Sequence, residues 1–428
     1  MKAGKVELAA PIEGRSPSHL FKELTHTAVI VSALGYFVDI YDLVLFSIVR
    51  KPSLEALGVT GPQLLSDGVY LLNMQMGGML LGGLLWGILG DKRGRISVLF
   101  GSILLYSVAN ILNAFVTDVQ TYAILRFVAG IGLAGELGAA VTLVSESLSK
   151  ENRGYATALI AGIGVSGAIL AGLVAKYFDW KVAYIIGGVL GLALLGLRVK
   201  MFESPLFRQL DQAQSKIRRG QFLMLWTNAS RCSRYLASIL IGIPIWFVVG
   251  VLVTFAPEIT QELGASGPVS AATGIMWAYG GLVIGDLGSG FLSQLLRSRK
   301  KVVFGFLVAL TALMLTYLNS RGQSPSYYYG LCFLLGIAAG YWAVFVTVAA
   351  EQFGTNLRAT VATTVPNFVR GLLVPMTLAF QSLQASLGLK TSALIVGLIA
   401  VGIAFFAAMT LEETFGKDLN FMEGDGLS

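Results

Sequence analysis

The stretch Glu146-Ser-Leu-Ser-Lys-Glu-Asn-Arg153 returns later in the chain as Glu351-Gln-Phe-Gly-Thr-Asn-Leu-Arg358, with acid and arginine at the same spacing. Each copy follows the fourth in a series of long apolar runs. The basic clusters ahead of them repeat as well: Lys92-Arg93 with Arg95 precedes Phe100-Gly101, and Arg297 with Arg299-Lys300-Lys301 precedes Phe304-Gly305. A pattern that recurs once per half marks an internal duplication. Two parallel sets of six apolar runs are a known plan for membrane carriers, with the solute held between the sets near mid-membrane.

Working outward from that repeat, hydrophobic residues make up 55% of the 428 positions and charged residues 13%, about half the charge of an ordinary soluble domain. Mean hydropathy is +0.72. The apolar runs have the length, about 20 residues, that an α-helix needs to cross the hydrocarbon. They are placed near 24–49, 68–89, 96–116, 121–148, 155–177, 180–199, 232–256, 268–294, 302–319, 325–350, 360–386 and 390–411. The expected fold is an all-α membrane protein: twelve transmembrane helices in two pseudo-symmetric six-helix bundles, 24–199 and 232–411. A polar linker, 200–231, joins them, and tails 1–23 and 412–428 flank them. The 51 glycines suit helices that pack backbone to backbone in lipid.

A net charge of +7 raises nucleic acid as a partner. Its placement argues otherwise. With the N-terminus cytoplasmic, Arg50, Lys51, Lys176, Lys181, Arg321 and Lys390 lie on the far side and Arg126 and Arg370 within spans. All other Lys and Arg then fall on the cytoplasmic side. That is the positive-inside arrangement, so the basic clusters orient the chain in a cytoplasmic (inner or plasma) membrane with both termini cytoplasmic. Cys232 and Cys332 form no metal or disulfide framework, and the two histidines, His19 and His26, both lie near the N-terminus and form no cluster. No Gly-Lys-Ser/Thr phosphate loop occurs. No enzyme, cofactor or metal centre is expected.

Gly90-Asp91-Lys92-Arg93-Gly94-Arg95 resembles the signature loop between spans two and three of the major facilitator superfamily. Arg126-Phe-Val-Ala-Gly-Ile-Gly132 resembles its span-four motif, and Phe202-Glu203-Ser204-Pro205 the element after span six of the sugar porters. The resemblance covers essentially the whole chain and implies the major facilitator fold, alternating access and a working monomer. Asp39-Ile-Tyr41-Asp42 is similar to the paired acids of the phosphate:proton symporters. The glutamine-rich span-seven motif that binds sugar is missing, which disfavours a hexose. Leu137-Gly138 stand where the phosphate symporters carry Tyr-Pro, which weakens inorganic phosphate as the solute.

Charges inside lipid are costly, so those that occur face a cavity or a partner. Asp39 and Asp42 share one face of span one. Arg126 lies at a depth within a few ångströms of Asp42 if each residue rises ~1.5 Å, so the two are expected to pair. Either the pair is a proton switch, as the resembled symporters imply, or it is a permanent salt bridge that sets helix packing. Glu136 either continues a proton relay below Asp39 and Asp42 or bonds a polar neighbour among the span-four glycines. Arg370 comes near mid-membrane in span eleven, where its planar fork suits a carboxylate or phosphate. The distance from Arg358 to Arg370 is like that in the resembled organic anion transporters. A buried acid of the protein is the other candidate partner.

Tyr36, Tyr41, Gln75, Trp246, Trp277, Tyr341 and Trp342 are candidates to line the binding cavity, and Asn367 lies on the same face as Arg370. Each has helix packing or interfacial anchoring as its other role. Asp91, Arg95, Glu146 and Arg153, mirrored by Glu351 and Arg358, are expected to form conformation-locking clusters at the cytoplasmic ends. The expected function is proton-coupled symport of a small organic anion, with lipid, protons and that anion as partners. Uniport, anion exchange, export of phosphate or a drug-like compound, and a non-transporting receptor are the alternatives.

Overall fold

The computed structural model describes residues 27–93, 95–136, 160, 162–202, 222–417 and 421–423. The first half contains α1 (Thr27–Ala56), α2 (Gln63–Arg93), α3 (Arg95–Asn113), α4 (Val119–Leu133), α5 (Gly167–Tyr177) and α6 (Trp180–Phe202). The second contains α7 (Ala229–Leu240), α8 (Ile243–Phe247), α9 (Ala256–Glu262), α10 (Ala271–Leu295), α11 (Arg299–Asn319), α12 (Pro325–Ala339), α13 (Trp342–Glu351), α14 (Thr355–Gly371) and α15 (Leu373–Thr410). Among the described residues, eight helical stretches are long and apolar enough to cross a membrane, and three shorter apolar helices add to them. One of the eight, Asn356–Thr410, runs through Gly388, whose φ of 77° breaks it into two passes. Twelve passes result, as the hydropathy predicted.

Among the described residues, the eleventh expected span passes from α14 to α15 across Leu372, and two other spans are divided more sharply. The seventh is divided into α7, α8 and α9, with a π-helical turn at Val248–Val253 between α8 and α9. The tenth is broken at Gly340 and Tyr341 between α12 and α13. Hydropathy averaged over a window passes over both. The expected linker lies mostly outside the described residues, and its last three positions already belong to α7.

Several helix ends are set locally. Asp118 starts α4 by accepting hydrogen bonds from the backbone N–H and hydroxyl of Thr121, both at 2.8 Å. This holds its carboxyl below the usual carboxylate range. Ser324 starts α12 with a weaker version of the same cap, accepting from Tyr327 N–H at 3.3 Å. Past α15, Glu413 accepts from Ser298 Oγ and from the backbone N–H groups of Arg299 at 2.8 Å, Lys300 at 3.3 Å and Phe415 at 3.0 Å. Partial burial opposes its ionisation, but these donors outweigh it and keep the carboxyl low.

The halves meet along α2 with α14 and α15, and along α5 with α10. Asn367 Nδ2 donates to Ala134 O at 3.0 Å, and Thr377 Oγ1 to Asn73 Oδ1 at 2.5 Å. At the end of the molecule that carries the α1–α2 turn, Arg50 reaches from α1 to Glu258 on α9 at 2.5 Å.

Candidate functional site

Where the bundles face each other near mid-membrane, Tyr36 and Ile40 of α1 meet Trp246, Tyr279, Trp342 and Arg370 of the second half. The space left among them is about 20 Å³, room for about one water. The ring of side chains is closed upon itself, and a solute needs the halves to part.

Arg370 sits at the last turn of α14, 1% exposed. Its guanidinium lies 5.5 Å from the ring centre of Trp246 and 5.6 Å from that of Trp342. The two indoles are 6.3 Å apart at 72°. Trp246 stands on α8 just before the π turn, and Trp342 opens α13 after the break, so each irregular segment delivers one ring. Ring faces attract a cation but do not satisfy its N–H groups. Arg370 Nε has no acceptor, and Nη1 has a long contact of 3.4 Å to Asn367 Oδ1. Trp246 Nε1 is also without an acceptor. Arg370 Nε and Trp246 Nε1 are thus buried donors left unmet at one place.

The first half holds a different assembly. Asp39 and Asp42, one turn apart on α1, are fully buried, and none of their four oxygens has a hydrogen-bond partner. The expected contact between Asp42 and Arg126 is not made. Arg126 instead donates to Gln75 Oε1 and lies against the rings of Phe46 at 5.2 Å and Tyr184 at 5.7 Å. It acts on Asp42 through space as the foremost nearby charge without touching it. Arg370 is the charge that acts most on Asp39.

Gln75 belongs to this polar core, with Nε2 donating to Leu43 O at 3.1 Å, and does not line the cavity. Tyr41 likewise points into the first half and donates to Ala183 O at 2.9 Å. Glu136 is held in a two-point ion pair with Arg198 of α6, one arm at 3.0 Å. Gly35 of α1 makes room for that pair, since a Cβ there would overlap both side chains.

Other candidates lie away from the cavity. Trp277 is 49% exposed on the outside of the bundle, where an indole suits the lipid interface as well as any pocket. Tyr341 packs inside the second half and donates to Ile241 O at 2.8 Å. Glu351 contacts Arg299 at 3.5 Å and accepts from Thr414 Oγ1 at 2.7 Å, while Arg358 donates to Phe353 O at 3.3 Å. Glu146 and Arg153 lie outside the described residues, as do the side chains of Asp91 and Arg95. The sequence reading missed Tyr279 in the cavity wall, Arg198, the acid Asp286, and the pair of Arg50 with Glu258. Arg50 also donates to Leu64 O at 3.2 Å and covers the Phe255 ring at 4.6 Å. Beside that pair a recess of about 860 Å³ opens between the halves.

The family model of the Major Facilitator Superfamily matches residues 32–374. The chain belongs to the major facilitator superfamily. Its match to the putative niacin/nicotinamide transporter of Bacillus subtilis is 26% identical, covering 83% of this chain and 89% of that protein. The 3-(3-hydroxy-phenyl)propionate transporter of Escherichia coli is 27% identical over 86% of this chain and 92% of its own length. Among solved structures, the inward-open xylose transporter XylE of E. coli matches with a TM-score of 0.68 at 16% identity, covering 91% of this chain and 97% of that one. At that identity the likeness establishes the shared fold. As a superfamily member the protein is a multi-pass membrane transporter, and the small space beside Arg370 is lined by residues of both halves.

Proposed function

We propose that the protein is an alternating-access carrier that moves a small organic anion together with protons across a cytoplasmic membrane, working as a monomer with both termini cytoplasmic. The observation that carries this reading is Arg370: a buried guanidinium between two indoles, with unmet donors on itself and on Trp246. A carboxylate takes the donors, and a flat ring fills the gap between Trp246, Trp342, Tyr36 and Tyr279. An aromatic monocarboxylate fits both demands. The relatives named for niacin and for a hydroxyphenyl propionate support the same class.

Proton coupling follows from the placement of Asp39. Ionised, it competes with the solute for the field of Arg370; protonated, it releases that cation to the incoming anion. Asp42, under the field of Arg126, is the second proton carrier. With the basic loops facing the cytoplasm, the pair of Arg50 with Glu258 closes the outer end. The test is uptake of aromatic and aliphatic monocarboxylates, dicarboxylates, phosphate and zwitterions into proteoliposomes, with and without an inward-acid pH gradient. Accumulation of an aromatic monocarboxylate that rises with the gradient is expected. Uptake of zwitterions alone, or of anions with no response to the gradient, overturns the reading.

A further inference from the structure

The tenth pass, from Pro325 to Glu351, is interrupted at its middle. Gly340 (φ −76°, ψ 36°) and Tyr341 (φ −98°, ψ 16°) leave the helical path, and α13 restarts at Trp342. A helix that restarts inside lipid has N–H groups with no carbonyl one turn back, and each must find an acceptor within the protein. Asp286 of α10 supplies it. Its Oδ1 accepts from Ala343 N–H at 3.0 Å. Asp286 reaches the break because Gly285 and Gly340 let the two backbones touch: a Cβ on Gly340 would sit 2.5 Å from Gly285 Cα.

We infer that Asp286 is a positioning residue for the solute site: it fixes the start of α13 and so holds the Trp342 ring in the cavity wall. This rests on the reading of the cavity as the anion seat. Asp286 does not line the cavity. Trp342 does, and its ring is braced by Phe345 at 5.1 Å as well as by Trp246 and Arg370. An aliphatic anion uses Arg370 and has little use for the wall; an aromatic one needs both. Asp286 therefore sets the preference for ring-bearing anions.

The experiment uses the full-length protein in detergent with benzoate and butyrate as probes. Asp286→Ala is expected to weaken benzoate binding roughly tenfold and to leave butyrate within about twofold. Trp342→Ala should show the same selective loss, and the double variant no further loss, because one residue acts through the other. Equal loss for both anions, or losses that add in full, overturns the inference. A second measurement needs no ligand. Amide exchange at Trp342 and Ala343 should quicken in Asp286→Ala and take an intermediate rate in Asp286→Asn, which keeps one carbonyl acceptor. Should the wild type bind neither probe, the solute reading fails by itself, while unchanged exchange in Asp286→Asn and Asp286→Ala overturns the role of Asp286. Should Asp286→Ala not fold, Asp286→Asn carries both measurements.

Discussion

In the first half α2 lies against α4 where Gly78 and Gly130 bring the backbones together; in the second, α10 lies against α12 at Gly281 and Gly336 in the same manner. On this common frame the halves bury different chemistry. The first encloses Asp39, Asp42, Arg126 and the pair of Glu136 with Arg198. The second places Arg370 among indoles at the cavity and spends Asp286 on a helix start. Duplication gave both halves the same way of bringing helices close, and the residues carried on those helices diverged. The carboxylates without hydrogen-bond partners belong to the first half and Arg370 to the second, and this is the arrangement that the proposed division of proton handling from anion recognition calls for.

That division makes the largest prediction. Asp42→Asn should abolish accumulation driven by a pH gradient and leave anion exchange between loaded vesicles intact. Arg370→Ala should weaken anion binding roughly ten- to hundredfold in both modes. Parallel measurements of gradient-driven uptake and of exchange separate the two. Matching losses in both variants would break the comparison between halves.

Next in size is the ion pair of Glu136 with Arg198. Removing one member of a buried pair strands the other charge, at a cost of about 3–5 kcal/mol, whereas an apolar replacement of both is often neutral. Glu136→Ala should therefore lower thermal stability markedly, and Glu136→Leu with Arg198→Met should recover it. If Glu136→Ala is as stable as the parent and fails only in proton-driven uptake, Glu136 belongs to the proton path and the first half carries three titrating acids.

A smaller effect is expected at Arg50 and Glu258, because Glu258 retains 19% exposure and can regain water when the pair parts. A contact made in one state and lost in the other shifts their populations by its differential energy. Glu258→Gln should raise the labelling rate of a cysteine placed at the buried Thr254 roughly tenfold with an impermeant maleimide. Unchanged labelling would mean that the contact persists in both states.

The span count and the division into halves were legible because lipid forces long apolar runs and the basic loops repeat. Arg370, Trp246 and Trp342 were legible as rare residue types deep in such runs. The helix breaks were not, since Gly340 and the valines of Val248–Val253 carry no polar signal into a hydropathy window. Arg50 and Arg198 were counted to the two membrane sides and not among the interior charges, because they lie at the ends of their spans. What buries them is absent bulk on other helices: a Cβ on Gly68 would sit 2.7 Å from Arg50 Cδ, and Gly35 plays that part for Arg198. Trp277 shows the converse, a residue type at home in a cavity and at a lipid face alike. That Arg126 donates to Gln75 and not to Asp42 depends on packing between helices, which one helix's sequence does not contain.

The smallest effect sharpens the comparison at two matched positions. Asp118 and Ser324 open α4 and α12, the partner helices of the two glycine contacts, and each accepts from the backbone N–H three residues on. One cap is ionisable and the other is not. Asp118 has a folded-state pKa held below its usual value by the Thr121 donors, so its contribution is present above the unfolded carboxylate pKa and declines as pH falls through the folded one. Asp118→Ala should lower the melting temperature at neutral pH, and the gap to the parent should close on acidification below the carboxylate range. Ser324→Ala should cost about 1 kcal/mol with no such closure. Melting both variants across that pH range would expose an error in the assignment if the Asp118 gap stayed constant, because the charge would then add nothing to a cap that a hydroxyl provides equally well.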